Sequence, residues 1–193
     1  KLELRPILQA SGNGASELVS NVTASVVGML YNFQLLRLAG QNGVAAFGVL
    51  MYVEFIFAAV FIGYAIGCAP IVSYHFGAGN RDELQNLLRK SILLMGVGGL
   101  AMVGVAQGLA EPMARLFVGS FVLVGFNIFA SSFFTALNDG VVSAIISFLR
   151  TFVFKLSAVL LLPLIWELDG IWWAEVAAEI CAFGLGLAFL LGK

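Results

Sequence analysis

Long apolar runs alternate with short polar turns along the whole chain. A run of about 20 apolar residues is long enough for one membrane-spanning α-helix. The apolar residues are continuous and do not alternate with polar ones, which favours helices over the strands of a barrel. The pattern therefore predicts six transmembrane helices, at about residues 14–38, 44–74, 87–110, 121–137, 141–166 and 171–191.

The polar connections between these runs are too short to be domain linkers. They contain the Gly, Asn and Asp residues that are typical of turns, at residues 39–43, 77–80, 138–140 and 168–170. We therefore expect residues 1–193 to form a single membrane domain. The chain begins at Lys1 without an initiator Met, so we expect it to be part of a longer protein.

Composition supports the membrane interpretation and excludes other classes of protein. Hydrophobic residues make up 61% of the 193 residues and charged residues 11%, against about 45–50% and about 25% in soluble domains. A soluble fold of this length buries only about two-thirds of its unfolded surface, which is too little to hide this apolar area. The formal net charge of −1 and the lack of a basic block exclude disorder and a nucleic-acid partner. The sequence predicts an all-α integral membrane protein.

The positively charged residues predict an orientation in the membrane. With six spans, both chain ends lie on one side, and that side collects six of the ten Lys and Arg residues, against two on the other. Because positive residues favour the cytoplasmic side, we expect both ends to be cytoplasmic in a multi-pass protein of the inner (plasma) membrane. The six residues are Lys1, Arg5, Arg81, Arg89, Lys90 and Lys193.

Ionisable residues also occur inside the predicted spans. Each would cost at least about 2.5–3.5 kcal/mol if it faced lipid in the middle of the membrane. We therefore expect these residues to face other helices, a wet cavity or a partner, and each is a candidate functional residue. They are Glu17, Glu54, Arg150, Lys155, Glu175 and Glu179.

Depth along the helices predicts which of these charges meet. Glu54 and Arg150 lie at similar depths near the middle of the membrane, which fits a buried ion pair and a transport role equally well. Lys155 and Glu179 also lie at similar depths, and a structural ion pair is the favoured interpretation. Glu175 and Glu179 are four residues apart and share one helix face. That face indicates a wet surface or contact with something outside this chain.

Glu17 stands among amide and hydroxyl groups that follow one side of the first predicted helix. Asn21, Tyr31 and Asn32 lie close to its face, and Asn127 in the fourth predicted helix offers a further carbonyl oxygen. A carboxylate with neutral oxygens nearby is suitable for binding H⁺ or Na⁺. The alternative is that these polar groups are interhelical contacts, worth about 0.6 kcal/mol each. Composition alone does not choose between them.

Several segments closely resemble one known family in order along the chain. Residues 16–22 (SELVSNV) and 26–32 (VVGMLYN) resemble the seventh helix of multidrug and toxic compound extrusion (MATE) transporters. Residues 48–79 resemble the eighth helix of that family, and residues 126–150, 160–163 and 169–172 resemble helices ten to twelve. The resemblance implies two six-helix lobes around a central cavity that opens alternately to each side. This chain resembles the C-terminal lobe alone, helices 7–12.

The sequence departs from the MATE pattern in two places. After residues 116–119 (LFVG), Ser120 leads directly into the fourth predicted span, so a segment of about 20 residues is missing near residues 119–121 relative to the family. One branch of the family places a coupling-cation site in this lobe, with an acid where Glu17 stands and a second acid in the tenth helix. Asn127 stands near that second position, so the resemblance does not decide whether the coupling ion is H⁺ or Na⁺.

The resemblance implies half of a cation-coupled antiporter that exports organic compounds by alternating access. Its coupling ion would be H⁺ or Na⁺ at Glu17, with no other cofactor, and its substrates would be small organic cations. Its partners would be the lipid bilayer and either a missing N-terminal lobe or a second copy of this chain. Aromatic and Met side chains would supply a tolerant lining for the substrate, and the same residues fit a lipid-facing belt at least equally well. These are Met29, Phe33, Tyr52 and Phe55.

Other interpretations compete with transport. A six-helix membrane scaffold or assembly subunit would use the internal charges as structural ion pairs. A flippase for a lipid-linked precursor is less well supported, because such carriers usually have a more basic cavity. An enzyme has little support, since the sequence offers no metal-ligand motif, nucleophile elbow or phosphate loop.

Overall fold

The computed structural model describes residues 4–109 and 119–191, without the side chains of residues 5–17, 19, 20, 108 and 109. All of the regular secondary structure in these ranges is helical. It consists of α1 (Leu4–Gly77), α2 (Arg81–Leu109), α3 (Phe121–Ala136), α4 (Gly140–Phe148), a π-helical segment (Leu149–Lys155) and α5 (Leu156–Leu191).

Two of these helices are interrupted by residues that are not helical. Gly40 has φ 66° and ψ −158° and divides α1 into a first arm, residues 4–39, and a second arm, residues 41–77. A positive φ of this kind is easily adopted only by glycine. In α5, Trp166 and Glu167 leave helical geometry, with φ 48° at Glu167, and separate residues 156–165 from residues 168–191.

The breaks fall where the sequence predicts turns between spans. Three stretches of the described residues are long and apolar enough to cross a membrane, namely Asn21–Gly77, Arg81–Gln107 and Gly140–Leu191. The first and third of these contain the interruptions, and α3 has only 16 residues. When the interruptions are ignored, the described residues form four unbroken runs of helix, at residues 4–77, 81–109, 121–136 and 140–191, and six separate spans remain a prediction.

Helix α3 lies at the centre of the bundle and packs against α1, α2, α4 and α5. It approaches α2 closely at Gly99, where an added Cβ would lie 3.0 Å from Cα of Val122. Small residues of this kind allow membrane helices to pack with their backbones close together. The central position of α3 places its polar side chains inside the bundle.

Large apolar side chains cover much of the described surface, as expected for a bundle surrounded by lipid or a second lobe. The four predicted lining residues all belong to this surface: Met29, Phe33, Tyr52 and Phe55 are each at least 65% exposed. In the described residues these side chains point away from the bundle. They are free to contact lipid, a substrate or another membrane domain.

A buried charge cluster as the candidate functional site

The π-helical segment brings two cations to one side of the bundle. Arg150 and Lys155 are five residues apart, and in an α-helix that spacing would separate them by about 140° around the axis. The wider turn of a π-helix, with hydrogen bonds from i to i+5, places residues five apart much closer to one face. Both side chains therefore reach the same carboxylate on α5, that of Glu179.

Glu179 is fully buried and stands at the centre of the cluster. The guanidinium of Arg150 donates through Nη2 to Oε1 at 2.8 Å, and through Nε to Oε1 at 3.0 Å and to Oε2 at 3.2 Å. Asn127 on α3 donates from Nδ2 to Oε2 of Glu179 at 2.6 Å and to its backbone carbonyl at 3.1 Å. The carboxylate of Glu179 thus joins α3, the π-helical segment and α5.

Lys155 connects the remaining acids to this centre. Its Nζ lies 2.5 Å from Oε1 of Glu175, 3.3 Å from Oε1 of Glu179 and 4.0 Å from Oε1 of Glu54. The hydroxyl of Tyr31 donates to Oε2 of Glu175 over 3.5 Å, and its ring stacks on Phe47 at 4.9 Å. We call Glu54, Arg150, Lys155, Glu175 and Glu179 the charge cluster.

The charge cluster carries one more carboxylate than it has cations. Three carboxylates and two cations give a formal charge of −1 when every group is ionised. Burying a charge without compensation is costly, because the desolvation penalty is then not offset by a partner. Glu54 has the longest of these ion-pair contacts. The charge cluster is therefore one positive charge short of neutrality, and the described residues contain no group of three or more His, Cys, Asp or Glu side chains that could hold a metal ion.

Two of the pairing predictions need correction. The suggested pair of Glu54 with Arg150 is wrong, because Arg150 binds Glu179 and Glu54 approaches Lys155. The prediction that Glu175 and Glu179 face water or something outside the chain is also wrong, since their exposed fractions are 3% and 0%. Both errors have the same cause. The π-helical turn directs Arg150 and Lys155 together towards α5, whereas the periodicity of a regular α-helix would place these two side chains on different faces. The predicted partners Lys155 and Glu179 lie 3.3 Å apart.

The residues of the predicted cation site around Glu17 do not all lie together in the structure. The side chain of Glu17 lies outside the described residues. Asn21 is exposed, and Asn32 is exposed with its Nδ2 donating to the carbonyl of Gly28 in the same helix. Tyr31 and Asn127 instead contact the charge cluster. The structure therefore places two of the predicted oxygen ligands with Glu175 and Glu179.

Sequence reasoning missed a set of hydroxyl side chains on α3 and α4. Residues 131 and 135 follow Asn127 at intervals of four along α3, and residues 143 and 147 have the same spacing on α4. An interval of four places side chains on one helix face, and this was the signal that could have identified the set. Its members are Ser131, Thr135, Ser143 and Ser147.

The helices and the internal charges together define an integral membrane protein. The MatE family model matches residues 18–120, and the chain belongs to this family of membrane transporters, whose members are not enzymes. No curated protein sequence matches the chain.

Solved structures show the same fold. An outward-facing multidrug resistance MATE family transporter of the MOP superfamily is 21% identical, with a TM-score of 0.84 over 96% of this chain and 46% of that one. A mutant of the Vibrio cholerae MATE transporter VcmN is 19% identical, with a TM-score of 0.84 over 100% of this chain and 49% of that one. A MOP superfamily transporter from Pyrococcus furiosus is 20% identical, with a TM-score of 0.85 over 96% and 46%. The chain thus spans about half the length of these transporters.

Proposed function

We propose that this chain is one lobe of a membrane carrier that exports organic compounds in exchange for H⁺ or Na⁺. The observation that carries the proposal is the match of almost the whole chain to about half of several MATE transporters. Alternating access generally requires one helix bundle to move against another around a shared site. The second bundle is an N-terminal lobe or a second copy of this chain.

The surplus carboxylate of the charge cluster supports coupling to a small cation. Arg150 and Lys155 compensate two of the three acids, and Glu54 has the weakest contact, 4.0 Å from Lys155. When a cation binds there, the formal charge of the cluster changes from −1 to 0. That change alters the cost of exposing or enclosing the cluster as the carrier moves. Glu17 is the second candidate acid, on the strength of the family resemblance.

The exposed aromatic and Met side chains of α1 support a bulky apolar substrate. Met29 and Phe33 lie on the first arm of α1, and Tyr52 and Phe55 on the second. Such side chains adapt to ligands of different shapes through contacts that need no fixed hydrogen-bond geometry. With a net negative charge cluster in the same bundle, the preferred substrates are amphipathic organic cations.

Export from cells tests the proposal. The full reading frame that contains this chain is expressed in drug-sensitive cells, and resistance to cationic dyes is compared for the parent, Glu54→Gln and Glu17→Gln. Asp82→Asn, an exposed acid in the first turn of α2, is the matched control. We expect resistance in the parent and the control, and its loss in at least one of the two glutamine variants at equal expression. Resistance that is unchanged in both variants would contradict cation coupling through these acids.

A membrane scaffold is the second candidate function. It is favoured by one observation, the matching of both cations of the charge cluster by buried carboxylates. A scaffold needs these pairs for stability alone. It therefore predicts that no dye export accompanies expression and that Glu54→Gln affects nothing beyond stability.

The proposed orientation places both ends of the chain in the cytoplasm, in the inner (plasma) membrane. The α3–α4 turn, residues 137–139, then also lies on the cytoplasmic side. Labelling of single cysteines in intact and permeabilised cells tests this. A cysteine in the turn should be protected in intact cells, and labelling there from outside would reverse the orientation.

A further inference from the structure

Helices α3 and α4 share a chain of hydroxyl groups inside the bundle. The hydroxyl of Thr135 donates to Oγ of Ser143 at 2.7 Å. The Oγ atoms of Ser143 and Ser131 lie 3.0 Å apart, and those of Ser131 and Ser147 lie 2.8 Å apart. These three contacts join four hydroxyls in sequence. We call Thr135, Ser143, Ser131 and Ser147 the hydroxyl row.

A cavity of about 260 Å³ borders the hydroxyl row. Its wall contains all four hydroxyls, together with small residues of the second arm of α1, among them Ala65 and Ala69. A cavity holds ordered water when it is larger than about 10–15 Å³ and offers two to four polar partners. This cavity meets both conditions several times over, so it is suited to hold a file of water molecules.

The hydroxyl row runs towards the charge cluster at one end. Ser131 is one helical turn from Asn127 on α3, and Ser147 precedes Arg150 by three residues. Asn127 and Arg150 both donate to the buried carboxylate of Glu179. The two faces that carry hydroxyls thus continue into the two side chains that bind the centre of the cluster.

The other end of the row reaches the surface of the bundle. Thr135 is exposed, and it lies in the last turn of α3. Asp139 follows in the α3–α4 turn, where its Oδ1 accepts a hydrogen bond from the backbone N–H of Val142 at 3.3 Å and caps α4. Polar groups therefore extend from the turn to Ser131 and Ser147, which lie within about one helical turn of Asn127 and Arg150 in sequence.

We propose that the hydroxyl row and its cavity form a water-filled path along which protons pass between the charge cluster and the side of the α3–α4 turn. Hydroxyls and water both donate and accept hydrogen bonds, so they relay protons without moving far. In the forward cycle one proton leaves a carboxylate oxygen of the cluster for bulk water on that side, which returns the formal charge of the cluster from 0 to −1; the reverse step adds the proton again. The use of this path in transport rests on the proposed function, whereas its hydration does not.

The proton accepted at the end of the path meets a defined set of charges. The carboxylates are Glu175 and Glu179 of α5 and Glu54 of α1, and the cations are Arg150 and Lys155 of the π-helical segment. The phenol of Tyr31 on α1 faces the same group through Glu175. Glu54 is the acceptor with the least compensation from the cations, because its nearest cation contact is the longest of the set.

Cysteine accessibility tests the hydration of the path. In a background with Cys68 and Cys181 replaced by Ala, single variants Ser147→Cys and Ser131→Cys are made in the full protein and treated with a small, charged methanethiosulfonate in membrane vesicles. Ile145→Cys is the matched control, because it lies between Ser143 and Ser147 in sequence and is 39% exposed on the outer surface of the bundle. Either variant carries the test if the other fails to fold.

We expect both path cysteines to react at least ten-fold faster than the control, and only from the side on which Val141→Cys, in the first turn of α4, reacts. Path cysteines that react as slowly as the control would overturn the proposal and leave the hydroxyls as interhelical contacts. Fast reaction from the opposite side would overturn it too.

A second measurement separates this proposal from the proposed function. Ser143→Leu fills the cavity. We expect substrate-driven proton movement to be at least ten-fold slower in vesicles that contain this variant than in vesicles that contain the parent carrier. If the parent moves neither H⁺ nor Na⁺ with substrate but the path cysteines react, the path stands and the proposed function fails. If coupled movement occurs and Ser143→Leu leaves its rate unchanged, the path is wrong and the function stands.

Discussion

Arg150 and Glu179 form a two-pronged ion pair inside the bundle, with Nη2 2.8 Å from Oε1 and Nε 3.2 Å from Oε2. The side chain of Glu179 is completely buried and that of Arg150 is 17% exposed. Glu179 has further partners in Lys155 and Asn127, whereas in the described part of the chain Arg150 has ion pairs and hydrogen bonds to Glu179 alone. Glu179 would therefore keep other partners if Arg150 were removed, whereas Arg150 would lose the partner of all its ion pairs and hydrogen bonds in the described residues if Glu179 were removed.

This difference in partners predicts that the two single variants lose different amounts of unfolding free energy. Breaking a buried pair from one side costs about 3–5 kcal/mol, because the remaining charge is left uncompensated. We expect Glu179→Met to lower stability by this amount, and Arg150→Met to lower it less, since Lys155 still reaches Glu179. Thermal unfolding of the purified variants in detergent measures both.

The double variant of Arg150→Met and Glu179→Met is the control for that pair. Replacing both ions with apolar side chains of similar volume is often neutral or stabilising. The double variant should therefore unfold at a higher temperature than Glu179→Met alone. A double variant less stable than either single variant would show that the pair contributes more than its charges.

Asn127 offers a second prediction, about charge next to Glu179. Asn127→Ala removes the 2.6 Å hydrogen bond and should cost about 1–3 kcal/mol, because a charged acceptor loses a donor. Asn127→Asp keeps the size of the side chain but places a second carboxylate beside the first. We expect it to unfold at a lower temperature than Asn127→Ala. Equal or greater stability of the Asp variant would mean that a cation already compensates this position.

Tyr31 separates the contribution of a hydroxyl from that of a ring. Its hydroxyl contact with Glu175 is long, 3.5 Å, so Tyr31→Phe should change stability by less than about 1 kcal/mol. Tyr31→Ala also removes a buried ring that stacks on Phe47, and this should cost about 3–5 kcal/mol. Thermal unfolding of both variants measures whether the stability loss is small for Tyr31→Phe and large for Tyr31→Ala. A large loss in Tyr31→Phe would show that the hydroxyl is essential to the charge cluster.

The close approach of α2 to α3 gives a prediction about packing. A Cβ at Gly99 would lie 3.0 Å from Cα of Val122, which is a backbone atom and cannot move aside easily. Gly99→Ala should therefore cost about 1–3 kcal/mol through overpacking. Gly104→Ala on the same helix is the matched control, because nothing lies within 4 Å of its added Cβ. Equal stability of the two variants would contradict the close packing.

The family, the helical class and the break at Gly40 could be predicted from the sequence. Continuous apolar runs indicate helices, and the Gly-rich segment at residues 39–43 indicates a turn. The resemblance to MATE transporters was visible in residues 16–22 and 48–79, and the family match and the solved structures confirm it. These features depend on local pattern, which a sequence contains directly.

Only part of the pairing inside the charge cluster could be predicted in the same way. Depth counting indicates the contact of Lys155 with Glu179 but not that of Arg150 with Glu179, because it assumes regular α-helices and the π-helical segment brings both cations to one side. The hydroxyl row could have been found from its spacing of four, but the sequence gives no sign that the faces of α3 and α4 meet. Contacts between helices are decided by packing, so they were the least predictable part of the site.

Substrate-driven cation movement through the reconstituted carrier tests the central claim most directly. The full reading frame is placed in vesicles that contain a pH-sensitive dye or ²²Na⁺, and Glu54→Gln is compared with the parent and with Asp82→Asn. The account predicts that an organic cation drives H⁺ or Na⁺ the opposite way in the parent and in Asp82→Asn, and at least ten-fold more slowly in Glu54→Gln. Parent vesicles in which neither ion moves with substrate would contradict the account.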